Sequence, residues 1–233
     1  MLGSGKRVSS EALRLLEEAE RRRDRFQRAV LDWASRNLRD FPWRRDRTPY
    51  RVLVAEVILR RTTSTAALRV YEEFLRRWPD IRALSEADEG GLEALLESVG
   101  YHRRRAMILK VIAQFIVDEY HGEIPRDKGL LLRIPHVGPY IASAVLSLGY
   151  GVPAAMVDSN VKRILSRSFR DSIPARGKSG LIYTLAEALV PTESHVPYNL
   201  GLIDMGALVC RYDRPRCSKC PLEAVCDTGR GHG

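Results

Sequence analysis

A chain of 233 residues, 45% hydrophobic and 7% aromatic, can bury a real core as one large domain or two smaller lobes. It has no apolar run near the ~20 residues that cross a bilayer, and no apolar leader segment, so the reading is a non-membrane protein expected in the cytoplasm. Lys and Arg outnumber Asp and Glu 38 to 29, and the net charge of +9 suits a polyanionic partner, although Arg21, Arg22, Arg23 and Arg25 would equally well solvate a helix face.

Apolar residues recur at helical spacing through nearly the whole chain. The first helix runs from Ser9 to Leu38, with Ser9 or Ser10 as N-cap, and Phe41-Pro42-Trp43 ends it. A second starts at Thr48-Pro49 and runs through Leu59, with Pro49 suited to the first helical position. Further helices are predicted over 64–78, 91–99 and 103–120, with a break at Pro79-Asp80 and Gly100 as a C-cap. The pattern continues over 128–134, 139–149, 158–169, 178–189 and 197–208. No segment alternates like a strand. The tail after Cys226, including Gly229, Gly231 and Gly233, reads as frayed. The fold class is all-α.

Two stretches carry chemistry. In Ile134-Pro135-His136-Val137-Gly138-Pro139-Tyr140-Ile141-Ala142, a helix meets a tight turn and a second helix opens at Pro139. Ile134, Val137 and Ile141 would pin the two helices. The N–H groups at the second helix's start could receive a phosphate without reading sequence. An ordinary helix–helix turn has the same appearance. Twenty residues beyond Gly138, Asp158 follows the apolar Ala154-Ala155-Met156-Val157 and opens a helix. An N-cap is its plain role, and a cap also fixes a carboxylate for catalysis. The only four cysteines are Cys210, Cys217, Cys220 and Cys226, clustered in one short stretch. Clustered thiols in a chain read as intracellular suit a metal better than disulfides, and four thiolates satisfy either zinc or an iron–sulfur cluster.

With these residues in view, Ile134–Arg163 resembles the hairpin-plus-aspartate signature of the helix-hairpin-helix DNA glycosylase superfamily, of endonuclease III and MutY type. Cys-x6-Cys-x2-Cys-x5-Cys is similar to its [4Fe–4S] ligand spacing, and Asp40–Arg44, Thr48–Tyr50 and Ala55–Leu59 resemble the N-terminal signature of the MutY-like branch. The resemblance spans roughly Phe26 to Cys226. It implies a two-lobed fold. One lobe, residues 47–157, is a six-helix unit carrying the hairpin at about 128–150. The other, residues 1–46 and 158–233, combines the N-terminal helix with the helices around a [4Fe–4S] cluster on Cys210, Cys217, Cys220 and Cys226. A DNA-binding cleft would lie between them.

The resemblance further implies catalytic roles for Asp158, Glu56 and Tyr140. His136, Val137, Gly138, Arg60, Arg61, Leu200 and Lys162 would touch DNA. The partner would be double-stranded DNA with a mismatched or damaged base, bound by a monomer. Tyr140 stands where strand-cutting members carry a lysine nucleophile, so the enzyme would be monofunctional, without efficient AP-lyase activity. Leu59-Arg60-Arg61-Thr62-Thr63, Ala154–Asp158 and Tyr198–Leu202 are similar to the archaeal thymine/uracil mismatch glycosylases. The chain runs only a few residues past Cys226, which leaves no room for the 8-oxoguanine-reading domain of adenine glycosylases. The expected activity is removal of T or U from T·G and U·G mismatches. The alternatives are a MutY-type adenine glycosylase acting on A·G or A·8-oxoguanine, a non-catalytic DNA-binding module, and a zinc-bound structural protein. One departure is His136, where the hairpin's usual first glycine would tolerate positive φ at no cost.

Overall fold

Twelve α-helices and no strand make up the described residues, 10–173 and 178–231, of the computed structural model. In chain order they are α1 (Ser10–Asn37), α2 (Pro42–Arg45), α3 (Pro49–Ile58), α4 (Ser64–Arg77), α5 (Ile81–Glu86), α6 (Glu89–Leu96), α7 (His102–Tyr120), α8 (Lys128–Arg133), α9 (Pro139–Ala144), α10 (Ser159–Ser168), α11 (Lys178–Leu189) and α12 (His195–Leu208). The local chemistry explains most boundaries. Thr48, Thr63, Asp80, Asp88, Asp127 and Asp158 each accept a hydrogen bond from a backbone N–H in the first turn of the helix they precede. Gly100, at φ +70°, lets the chain turn out of the short 3-10 segment Glu97–Val99 and into α7. Ser9, the alternative first cap, and Gly233 lie outside the described residues.

The chain divides into two compact units, residues 1–39 with 153–233 and residues 40–152. In the second unit α3 is buried on almost every side, from Tyr50 through Ile58, and packs against α7, α9 and the segment after α9. That segment, Val145–Gly149, continues α9 as a π-type turn, with Tyr150 N donating to Val145 O at 3.1 Å. α5 and α6 cover α7. Two short helices absent from the sequence expectation appear here, α2 and α5. α2 is too short to show periodicity and rests on tertiary contacts: Trp43 stacks on Phe41 and meets Tyr71 edge-on.

In the first unit α1 lies against α11 and α12, and α10 against α12. Phe26, Val30, Leu165, Phe169, Leu185, Tyr198 and Met205 form its core. A methyl group on Gly201 would stand 2.9 Å from Ala34 Cβ, so glycine is what permits that helix approach. The buried Asp204 of α12 accepts from Arg39 Nε at 2.8 Å, Nη2 at 2.6 Å and the Arg39 backbone N–H at 2.9 Å. The segment after Cys226 is ordered rather than frayed as far as Gly231. It forms a 3-10 turn in which Gly229 N–H donates to Cys226 Sγ at 3.4 Å. Of the glycines that suggested a frayed tail, Gly229 packs against the backbone of Glu223.

Candidate functional site

Asp158 is the N-cap of α10. The extended segment that delivers it is held by the buried Asn199, whose Oδ1 accepts from Met156 N at 3.2 Å and whose Nδ2 donates to Ala154 O at 2.9 Å. Asp158 Oδ1 accepts from Val161 N at 2.8 Å, and Oδ2 accepts from Asn160 Nδ2 at 2.9 Å. Burial pushes its carboxyl above the ordinary carboxylate range, against the pull of the Val161 and Asn160 donors and the Arg163 charge. A desolvated, hydrogen-bonded carboxylate with a defined orientation is a group able to stabilise a developing cation or direct a water.

The bonds continue past the carboxylate. Asn160 Oδ1 accepts from Arg163 Nη2 at 2.8 Å, and Arg163 also donates to Cys210 O and Gly206 O, both at 2.7 Å. Asn160 and Arg163 had no role in the sequence reading. Asn160 left a signal there, since an Asn two residues after an N-cap can reach the cap. Arg163 left none, because its bonds to Gly206 O and Cys210 O reach more than forty residues along the chain. Lys162, expected to touch DNA, sits 5.1 Å over the Tyr183 ring. Leu200 is a correction. It is 6% exposed within an α12 buried along most of its length, so it packs and presents no exposed face to DNA.

Cys210, Cys217, Cys220 and Cys226 are not paired as disulfides, and all four line one cavity with Arg167. The thiols feel one another: Cys220 is pushed up to about 11, first by burial and then by the other three sulfurs. Arg167 Nη1 donates to Cys210 Sγ at 3.4 Å. Four soft donors around one cavity, with N–H groups on two of the sulfurs, fit a thiolate-ligated metal group. Among the described residues no set of three or more His, Cys, Asp or Glu side chains qualifies as a metal-ion site as the side chains stand.

The other expected residues lie in the 40–152 unit. In the hairpin between α8 and α9, Ile134 and Ile141 are buried as expected. His136 takes φ +65°, the left-handed conformation that its replacement of glycine foreshadowed, and its side chain is exposed. Gly138 caps α9 at φ −91° with open space around it, so the strained position is His136. Val137 is a second correction. Its side chain is 5% exposed and its N–H is used by Ile134 O at 3.1 Å, so it closes the turn instead of offering a donor. Arg60 Nη2 donates to His136 O at 2.7 Å. Glu56 is half-buried on α3, and its charge favours the cationic form of Arg60 against burial. Tyr140 is half-buried in the first turn of α9. Sequence reasoning missed Tyr101 and Arg104. With Arg60, Arg61 and His136 they line a cavity of about 420 Å³, and Tyr101 is 64% exposed with φ +50°.

The profile of the HhH-GPD superfamily of base excision DNA repair proteins matches residues 54–178. The chain is 32% identical over 211 residues to the thymine/uracil-DNA glycosylase of Methanothermobacter thermautotrophicus, covering 90% of this chain and 96% of that one. It is 36% identical over 192 residues to the thymine-DNA glycosylase of Aeropyrum pernix, covering 81% and 86%. The solved structure of a thermostable thymine-DNA glycosylase superposes with a TM-score of 0.86 at 31% identity, covering 91% of this chain and 98% of that one.

Proposed function

Since the chain belongs to the HhH-GPD superfamily of base excision DNA repair proteins, we propose that it is a monofunctional DNA glycosylase that removes thymine or uracil from T·G and U·G mismatches. The observation that carries the reading is the Asp158 carboxylate, capped, oriented by Asn160 and lifted by burial at the head of α10. The similar relatives named for thymine and uracil support the choice of base.

The target nucleotide must leave the duplex before its glycosidic bond is accessible, and a wobble pair loses less on opening than a matched pair. As the C1′–N1 bond breaks, its electron pair leaves with the pyrimidine and the sugar gains oxocarbenium character. Asp158, ionised, stabilises that cation and orients the water whose oxygen bonds C1′; the proton lost by that water passes to Asp158 and balances the charge on the departing pyrimidine. Glu56 hydrogen-bonds the pyrimidine or steers that water, and Tyr140 contacts the sugar or base. A phenol cannot form an imine with C1′, so the product is an abasic site in an intact strand. Arg60, Arg61, His136, the Gly138 turn and Lys162 meet phosphate, giving a salt-dependent affinity. Cys210, Cys217, Cys220 and Cys226 would hold a [4Fe–4S] cluster. When bound it would supply a covalent cross-link between Cys210, just past the end of α12, and the later C-terminal segment, and the base-release chemistry stays with Asp158.

The test is base release from T·G, U·G, A·G and A·8-oxoguanine duplexes side by side. Release from the first two, with strand breaks appearing only after alkali, is the expected result. Release of adenine would favour the MutY-type alternative. Tight binding with no release from any duplex would favour a non-catalytic DNA-binding module.

A further inference from the structure

Arg103, Arg104 and Arg105 read as one charge run, yet Arg105 alone is buried, 4% exposed in the first turn of α7. Among the described residues no carboxylate meets it. Its guanidinium donates to Gly100 O at 2.6 Å, to Arg60 O, and at a longer 3.4 Å to Val57 O. Val57 O and Arg60 O are at the C-terminal end of α3, where the helix dipole favours a cation. Burial still lowers its pKa. A buried cation without an acid partner is a poor way to gain stability, because an apolar side chain of similar size would avoid the desolvation cost. The planar guanidinium does what an apolar residue cannot: it bonds several backbone carbonyls at once, in directions more rigidly fixed than those of a lysine ammonium.

Those carbonyls belong to turns that matter. Arg60, held at its carbonyl by Arg105, reaches His136 O with its own side chain. A single relay therefore runs from Gly100 through Arg105 and Arg60 to the hairpin. The backbone is left-handed beside each of its ends, at Tyr101 (φ +50°), Arg61 (φ +51°) and His136 (φ +65°). Such conformations persist only where the surroundings over-determine them. The side chains that these turns carry line the same 420 Å³ cavity.

We propose that Arg105 is a positioning residue that holds three strained turns, 59–62, 100–102 and 135–138, in register as one cationic rim for the DNA duplex. The inference rests on the glycosylase reading for the identity of the partner, and on the hydrogen-bond relay alone for the coupling.

The experiment measures amide hydrogen exchange in the three turns and affinity for a duplex carrying an uncleavable abasic analogue, in wild type, Arg105→Lys and Arg60→Met. Arg105→Lys is expected to speed exchange in all three turns together and to weaken duplex binding about tenfold, the equivalent of one strained turn no longer held. Arg60→Met cuts the relay at an exposed side chain. It is expected to speed exchange at 135–138 only and to weaken binding less. Exchange changes confined to α7 in Arg105→Lys, or an unchanged hairpin in Arg60→Met, would overturn the proposal. The exchange measurement needs no base release. A wild-type protein that excises nothing would therefore refute the glycosylase reading and leave the relay to be judged on exchange alone.

Discussion

Replacing Gly206 by alanine tests whether the position of Asp158 is set by the packing of α10 on α12. A Cβ at Gly206 would stand 2.4 Å from Asn160 Cβ and 3.1 Å from Asn160 Cα. Ordinary contact begins at 3.4 Å, so the two helices must part by about 1 Å. The obstacle is the root of a side chain and its backbone, which cannot swing aside. Asn160 donates to Asp158 Oδ2 and accepts from Arg163, so the displacement falls directly on the carboxylate. Overpacking of this kind costs about 1–3 kcal/mol of stability, and a ~1 Å misplacement of a reacting group costs on the order of 100-fold in rate. Single-turnover excision from a T·G duplex at saturating enzyme should fall by about that factor, while the affinity for an abasic-analogue duplex stays within about threefold of wild type. Adding Asn160→Gly removes the clash and should recover stability without recovering the full rate, since the hydrogen bond to Asp158 is gone. A Gly206→Ala protein that melts normally and excises at the wild-type rate would refute the reasoning.

Asp158→Asn should bind the mismatched duplex and lose most turnover; an unchanged excision rate would reject the assignment. Because its pKa is raised by burial, Asp158 contributes stability that is present below the ordinary aspartate pKa and lost as pH rises through the raised value. Asp158→Asn should therefore have a higher Tm than wild type at neutral pH, with the gain shrinking in acid. Excision needs the ionised form, so the rate should climb with pH through that raised pKa. Asn160→Ala, which removes a donor favouring ionisation, should move this acidic limb to higher pH in a rate profile. Tyr198 is 2% exposed and its hydroxyl has no hydrogen-bond partner among the described residues, so Tyr198→Phe should stabilise the fold by about 1 kcal/mol in urea titrations. Arg39→Ala removes the guanidinium from the buried Asp204 carboxylate and leaves the backbone N–H bond in place; it should cost about 3 kcal/mol by the same titration.

The helices that sequence placed well are those whose ends are chemically local. Thr48, Thr63 and Asp158 cap the turn they precede, and the motif around Asp158 names both its cap role and its family. What sequence could not show depends on partners far along the chain. α12 is buried along most of its length, its Asn199 and Asp204 included, so no periodicity separated the packing role of Leu200 from a DNA-facing one. The run Arg103–Arg105 carries no mark of which guanidinium turns inward, because that is decided by carbonyls at Val57, Arg60 and Gly100. Gly206 likewise looks like any helix glycine until Asn160 is set against it.

α10 joins the two chemical features of its unit. Its N-terminus fixes Asp158, and its later turns grip the four-thiol segment. Arg163 bonds Cys210 O and Gly206 O. Arg167 bonds Cys210 Sγ and the carbonyls of Arg211 and Tyr212. Thr228 and Asp227 return hydrogen bonds to the carbonyls of Arg167 and Ser168. A ten-residue helix is about 15 Å long and stiff over that length, so its two ends move together. The carboxylate is held in an unfavourable, desolvated state, and something must resist its tendency to relax toward water. The local cap supplies only Val161 and Asn160. Asn199 holds the segment before it, and the far end of the helix adds restraint where the thiol segment is fastened to Arg163 and Arg167. On the proposed glycosylase reading, the cysteines would act on base release through the register of α10 rather than at the sugar.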